Sequence, residues 1–149
     1  MTRQLEVIDE DALREIGEIA VGAAGVVASR MLRRPVRHTT SQFLTLPAAG
    51  LGQALGGDDG EWVGAAVRLG GNLRGALLMA CPEESAAWLA DIILEREEGT
   101  TSRIGVLEQS ALKEFLNILA GAYLRSFYQF LGMDVAFSVP FFAVAQPEW

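Results

Sequence analysis

The sequence predicts an α+β fold of long helices and a sheet that includes an antiparallel hairpin. Two observations lead there. A helix–strand unit recurs 99 residues apart, over 11–37 and again over 110–136. Between the copies lie two short apolar runs, 62–69 and 73–80, split by Gly70-Gly71-Asn72. Gly and Asn tolerate the positive φ of tight turns, so this stretch reads as a hairpin.

The first helix is expected over about 10–31. Asp9 can cap it by accepting from free amides of the first turn. Leu13, Ile16, Ile19 or Ala20, Ala23, Val27 and Met31 recur at the three- and four-residue steps of one buried face. Pro35 ends the helical pattern, and 36–46, with Val, Thr and Phe, is expected to hold a strand. Residues 47–60, PAAGLGQALGGDDG, are a loop by their Gly, Pro and Asp content. After the hairpin, Pro82 suits the first position of a helix, where its missing N–H costs nothing. That helix should reach about 94 with Trp88, Leu89, Ile92 and Ile93 inward, and Trp62 and Trp88 are placed in the core. A charged, then Gly/Thr-rich loop follows over 95–102. The second long helix runs from about 106 to 131 and stops at Gly132, a natural cap. Residues 135–145 read as a final strand, interrupted or edge-like at Pro140.

The 149 residues, half of them apolar, fit a single domain over 1–149 that hides about 68–70% of its unfolded surface. One cysteine, Cys81, excludes a disulfide framework, and its place at the end of an apolar run reads as a buried, inert thiol. One histidine, His38, removes the usual zinc sites and any relay of two imidazoles; it reads as a surface or strand residue. Nineteen acidic against twelve basic residues give a formal charge of −7, which opposes binding to phosphate backbones, so no nucleic acid is expected. The opening MTRQLEVIDEDAL carries acids where a signal peptide needs an apolar stretch. The run 19–29 falls far short of the roughly 20 residues that span a bilayer. A cytoplasmic protein with no membrane span is the resulting expectation.

The two long helices align without a gap, and eight positions are identical: Ala12/Ala111, Leu13/Leu112, Glu15/Glu114, Ile19/Ile118, Gly22/Gly121, Ala23/Ala122, Leu32/Leu131 and Val36/Val135. Chance at ordinary residue frequencies gives about two. Each copy carries a polar stripe on one helix face, spaced by four, three and four. The first is Asp11, Glu15, Glu18 and Gly22; the second is Ser110, Glu114, Asn117 and Gly121. A glycine lets another group come close to the helix. Three carboxylates in the first stripe could approach a hard cation, but nothing nearby supplies the six or more oxygens of a dedicated site, so no metal is expected.

The second stripe continues with a fixed interval: Ser110-x-x-x-Glu114-x-x-Asn117, then 22 residues, then Pro140. This pattern resembles the signature of the CheC/CheX/FliY family, phosphatases of chemotaxis response regulators. The strings SALKEFLNILAGAYLRSFYQFLG and DALREIGEIAVGAA are also similar to that family, and the resemblance runs from about 9 to about 145. With the repeat, it implies a pseudo-two-fold CheC-like fold, long helices packed on a mainly antiparallel sheet, with one repeat over about 10–95 and a truncated second over about 106–145. It implies hydrolysis of the aspartyl phosphate on a CheY-like receiver domain, with Asn117 positioning the attacking water and Glu114 pairing with the receiver's lysine. Ser110, Gly121 and Pro140 are then supporting residues. No cofactor belongs to the chain itself, since Mg²⁺ sits on the phosphorylated partner.

The first stripe departs from the pattern. Glu18 stands where Asn is required, and Ser41 stands where the proline would be. A carboxylate aimed at a phosphoryl group opposes the charge stabilisation that such chemistry needs. Asp11, Glu15 and Glu18 therefore read as a degenerate site that leaves one working site. Two other readings stand beside the phosphatase: a non-catalytic CheC-like module that docks a receiver or another signalling protein, and a general sensing or scaffold domain. Some family members also bind the deamidase CheD, and no residue set here decides that. The missing second hairpin should leave an open sheet edge or core face, and exposed edges invite pairing; a homodimer is expected to cover it.

Overall fold

The computed structural model describes residues 10–39, 44, 46–50, 53 and 61–145. Among them are three α-helices, α1 (Glu10–Leu32), α2 (Glu83–Ile93) and α3 (Val106–Leu131). The strands are β1 (Trp62–Gly71), β2 (Gly75–Pro82), β3 (Val135–Phe137) and β4 (Phe141–Ala145). Every pairing is antiparallel, and β1 is central, with β2 on one side and β3 and β4 in succession on the other. This is the expected α+β arrangement. No described helix is long and apolar enough to cross a membrane.

The core lies between one sheet face and the helices. Alternation along β1 points Val63, Ala65 and Val67 toward α1, α2 and α3, and all three are buried. Ile16 and Ala20 of α1 meet Leu124 and Phe127 of α3 over Leu69 and Leu77 of the hairpin. Ala86 and Ala90 of α2 meet Leu112 of α3 over Val63, Cys81 and Phe142. Partial burial pushes the Cys81 thiol up from its ordinary value, so it stays protonated and unreactive. The opposite sheet face presents Ala66, Arg68, Leu78 and Phe141, and Leu78 and Phe141 are exposed.

Several expectations need correction. The buried stripe of α1 settles on Ile16, Ala20, Ala28 and Leu32, so Ala20 is chosen over Ile19, and Val27 and Met31 are only half-buried. Residues 36–39, 44 and 46 form no strand. The Val36 N–H donates to the Ser29 hydroxyl at 3.0 Å, and that hydroxyl donates to the Gly25 carbonyl at 2.9 Å. The returning chain is thus tied to α1 instead of to the sheet. The remainder of 36–46, including Ser41, and the Asp9 cap lie outside the described residues. Pro82 is the residue before α2 and not its first. Trp88 is 45% exposed, because Ala86 and Ala90 already fill the contact with β1 and α3.

The hairpin turns at 72–74, two residues later than its glycines suggest. Gly70 and Gly71 stay in β1 because they also pair with Ala136 and Val135. Gly71 has φ +92°, and a Cβ there would sit 2.5 Å from the Asp134 carbonyl oxygen, so only glycine fits. Asn72 completes this clamp: its N–H donates to the Asp134 carbonyl, and its Oδ1 accepts from the Asp134 N–H at 2.9 Å.

The 99-residue repeat has a geometric counterpart. α1 ends at Leu32 and α3 at Leu131, and the next residues, Arg33 and Gly132, both adopt left-handed φ, +51° and +62°. The chain then returns over its own helix in both copies. A Cβ on Gly22 would lie 3.8 Å from the His38 ring, and one on Gly121 would lie 3.8 Å from Phe137 Cζ. His38 and Phe137 are themselves 99 residues apart.

Candidate functional site

The site is built on α3, whose apolar residues Leu112, Phe115, Leu116, Ala120 and Leu124 are buried. That anchorage leaves the adjoining face to the polar stripe. Ser110 and Glu114 are exposed, and Asn117 and Gly121 are half-buried on the same face. Gly121 is not open space for a partner, as its sequence reading implies, because Phe137 already covers it. The repeat offset from His38 could have identified Phe137; the polar motif alone does not.

The start of α3 is fixed by a polar network that sequence reasoning missed. Asp91, near the end of α2, has no accessible surface. It accepts from the Thr101 hydroxyl, from the Gly99 N–H at 3.0 Å and from the Thr101 N–H at 3.1 Å. The Thr101 hydroxyl bond first, and the backbone donors after it, hold the Asp91 carboxyl below its ordinary range against the opposing effect of burial. Arg96 donates to Thr101 Oγ1 at 3.1 Å and to Glu108 at 2.6 Å. Glu108 reaches back to accept from the Gly105 N–H at 2.9 Å, half of a capping box. The Arg96 bond is the main reason that the Glu108 carboxyl also lies below its ordinary range. The only sequence signal was an acid in α2 followed by a Gly-Thr-Thr run.

Pro140 occupies the break between β3 and β4. Leu69 faces Phe137, but Ala66 faces Phe141, so three residues, 138–140, stand opposite Val67 and Arg68. This is a β-bulge, a place where a strand tolerates proline. Ser138 closes it: its N–H donates to the Arg68 carbonyl, and its hydroxyl accepts from the Arg68 N–H at 2.9 Å. The extra residue changes the phase of the strand. Val135 and Phe137 before it and Phe142 after it therefore all face the helices, which an unbroken alternation forbids. Both segments touch α3.

The first stripe has the same layout on α1, with Asp11, Glu15 and Glu18 exposed and Gly22 half-buried beneath His38. The three acids are strung along the helix. Among the described residues, no group of three or more His, Cys, Asp or Glu is gathered as a metal ion needs.

The family model described as chemotaxis phosphatase CheX matches residues 63–146, more than half of the chain. The flagellar motor switch phosphatase FliY of Bacillus subtilis (strain 168) is 24% identical over 137 residues, which cover 91% of this chain and 35% of that protein. The chain thus spans about a third of the length of that curated relative. The crystal structure of Thermotoga maritima FliY matches with a TM-score of 0.81 at 23% identity, covering 97% of this chain and 73% of that one. A chemotaxis protein CheX from Desulfovibrio desulfuricans matches with a TM-score of 0.63 at 17% identity, covering 89% and 79%. These two structures share the fold described above.

Proposed function

The chain belongs to the chemotaxis phosphatase CheX family, and on that premise we propose that it hydrolyses the aspartyl phosphate of a CheY-like response regulator. The observation that carries this reading is the stripe of exposed Glu114 and half-buried Asn117 beside the buried face of α3, with Pro140 held in a bulge at the family's interval. An acyl phosphate is already activated, and the receiver brings its own Mg²⁺ and lysine. The phosphatase then needs mainly to place a water in line with phosphorus. The Asn117 carbonyl accepts from that water and brings no negative charge toward the phosphoryl oxygens. Glu114, one turn earlier, pairs with the receiver's lysine and fixes the docking register. Ser110 extends the docking face, Gly121 and Phe137 shape its far end, and Pro140 supports it. The chain needs no cofactor of its own, acts through one site and works in the cytoplasm. A second copy covers the open sheet.

One observation favours a second reading. Glu18 replaces the amide in the α1 stripe, so that face suits docking without chemistry, and the whole chain could serve as an adaptor for a receiver domain.

The deciding experiment mixes the protein with a phosphorylated CheY-like receiver and follows acyl-phosphate decay. Wild type accelerates decay and Asn117→Ala does not. Binding without acceleration by wild type selects the adaptor reading. Glu114→Ala is expected to weaken docking and rate together, by about 10-fold for one charged contact.

A further inference from the structure

A second surface lies on the far side of the helices from the sheet. α1, α2, α3 and the returning segment 34–38 enclose an open groove of about 510 Å³. Its floor is Ala28, Leu32, Val36, Leu89, Phe115 and Leu119, the third cluster of the core, reached here from the surface. Trp88 stands at the rim, 45% exposed, with the Arg34 guanidinium 5.8 Å from its ring centre. Arg37 and His38 complete the rim.

The charge of this groove opposes that of the chain. Among the described residues no carboxylate lines it, although the formal charge of the protein is −7. Two of the twelve basic residues, Arg34 and Arg37, line it, and Arg33 adjoins Arg34 in the chain. Arg33 and Arg34 are engaged by Glu95 and Glu98. Among the described residues, Arg37 and His38 have no carboxylate partner. An exposed tryptophan beside an arginine, over an apolar floor, is the composition of a binding hot spot. Basic side chains around apolar ground select an acidic occupant with apolar anchors.

We propose that this groove docks a short acidic segment of a partner protein, with apolar side chains entering between α1, α2 and α3 and carboxylates meeting Arg37 and His38. The surface is separate from the Glu114–Asn117 stripe, but both stand on α3: Phe115 and Leu119 form part of the groove floor. The proposal does not depend on the phosphatase reading.

The test uses the full chain and a fluorescein-labelled peptide of about 16 residues, with Leu and Phe at i, i+3, i+4 and i+7 and Glu between them. A control peptide carries Lys in place of every Glu. Anisotropy should show saturable binding of the acidic peptide, at least about 10-fold tighter than the control and weakening as salt rises from about 0.05 to 0.5 M. Trp88→Ala should lose about 10-fold for the acidic peptide, since an aromatic anchor is removed. Arg37→Glu, an exposed change with no described partner to break, should narrow or reverse the preference between the peptides. Equal binding of both peptides, no binding up to about 1 mM, or a preference unmoved by Arg37→Glu overturns the proposal. So does binding of anionic phospholipid vesicles without the peptide, which would make the surface a membrane contact. Self-association that Trp88→Ala abolishes would assign the groove to a second copy and overturn it equally.

Discussion

The α1 and α3 stripes are built on the same backbone plan and differ in a few side chains. Each helix ends at an equivalent leucine, passes through a left-handed residue and is then crossed by its own returning chain above a glycine. The α3 copy has an amide at Asn117, a phenyl ring over Gly121 and a glycine at the cap. The α1 copy has a carboxylate at Glu18, an imidazole over Gly22 and an arginine, Arg33, at the cap. The contrast teaches that one backbone plan holds both stripes in place and that the side chains on it set them apart. A neutral amide and a carboxylate at equivalent positions offer opposite electrostatics to a phosphoryl group.

The strongest attack on that contrast is to remove each side chain in turn. Asn117→Ala should lower the acceleration of acyl-phosphate decay by about 100-fold or more, the scale of losing one positioned polar group at a transition state. Glu18→Ala should leave the same rate within about 2-fold. Equal losses in the two variants would erase the distinction between the stripes.

A smaller effect is expected from converting one stripe toward the other. In an Asn117→Ala background, Glu18→Asn should recover a few-fold of the lost rate, and adding His38→Phe should recover more. Recovery by the first change alone would show that the ring over the glycine is irrelevant. Recovery by neither would place the difference in the local shape around Pro140.

Acid should separate the anchor of α3 from the rest of the fold. The carboxyls of Asp91 and Glu108 titrate below their ordinary range, so their stabilising effect is complete above that range. It is lost as pH falls through the lowered folded values. Thermal melts should therefore decline on acidification below the usual carboxylate range, and Asp91→Asn should flatten that decline while lowering the melting temperature near neutrality. An unchanged acid limb in Asp91→Asn would remove Asp91 from the anchor.

The smallest effect concerns the caps. Arg33→Gly relieves a left-handed non-glycine residue and gives up only an exposed ion pair with Glu95. It should raise stability by about 0.5–1 kcal/mol in a denaturant titration. Gly132→Ala should lower it by a comparable amount, about 1 kcal/mol.

Much of this was legible in the chain because periodicity and end signals act locally. The bounds of α3, from Val106 to the Gly132 cap, match their reading, and α1 differs by a single residue at its end. The polar stripe is likewise legible, since three- and four-residue spacing fixes a helix face. What failed depended on distant partners. Segment 36–39 has strand composition, yet its hydrogen bond goes to Ser29. Trp88 is apolar at a helical spacing, yet two alanines hold the contact it was expected to make. The Asp91 network joins groups 8–12 positions apart through a loop, and nothing in that spacing announces it. The turn of the hairpin slid by two residues because Gly70 and Gly71 answer to β3 as well as to β2.

The bulge at 138–140 turns the interval between Asn117 and Pro140 into a ruler. Its 22 residues comprise the rest of α3, the glycine cap, a clamped turn, three residues of strand and the slip itself. Deleting one residue at 138–140 would restore plain alternation with Phe141 still outward and Phe142 still inward, but it would remove the bulge that admits Pro140. A single-codon deletion here would keep the faces of β4 and take away the irregular backbone in which its proline sits. Length is therefore as much a part of the motif as the identities of its four residues.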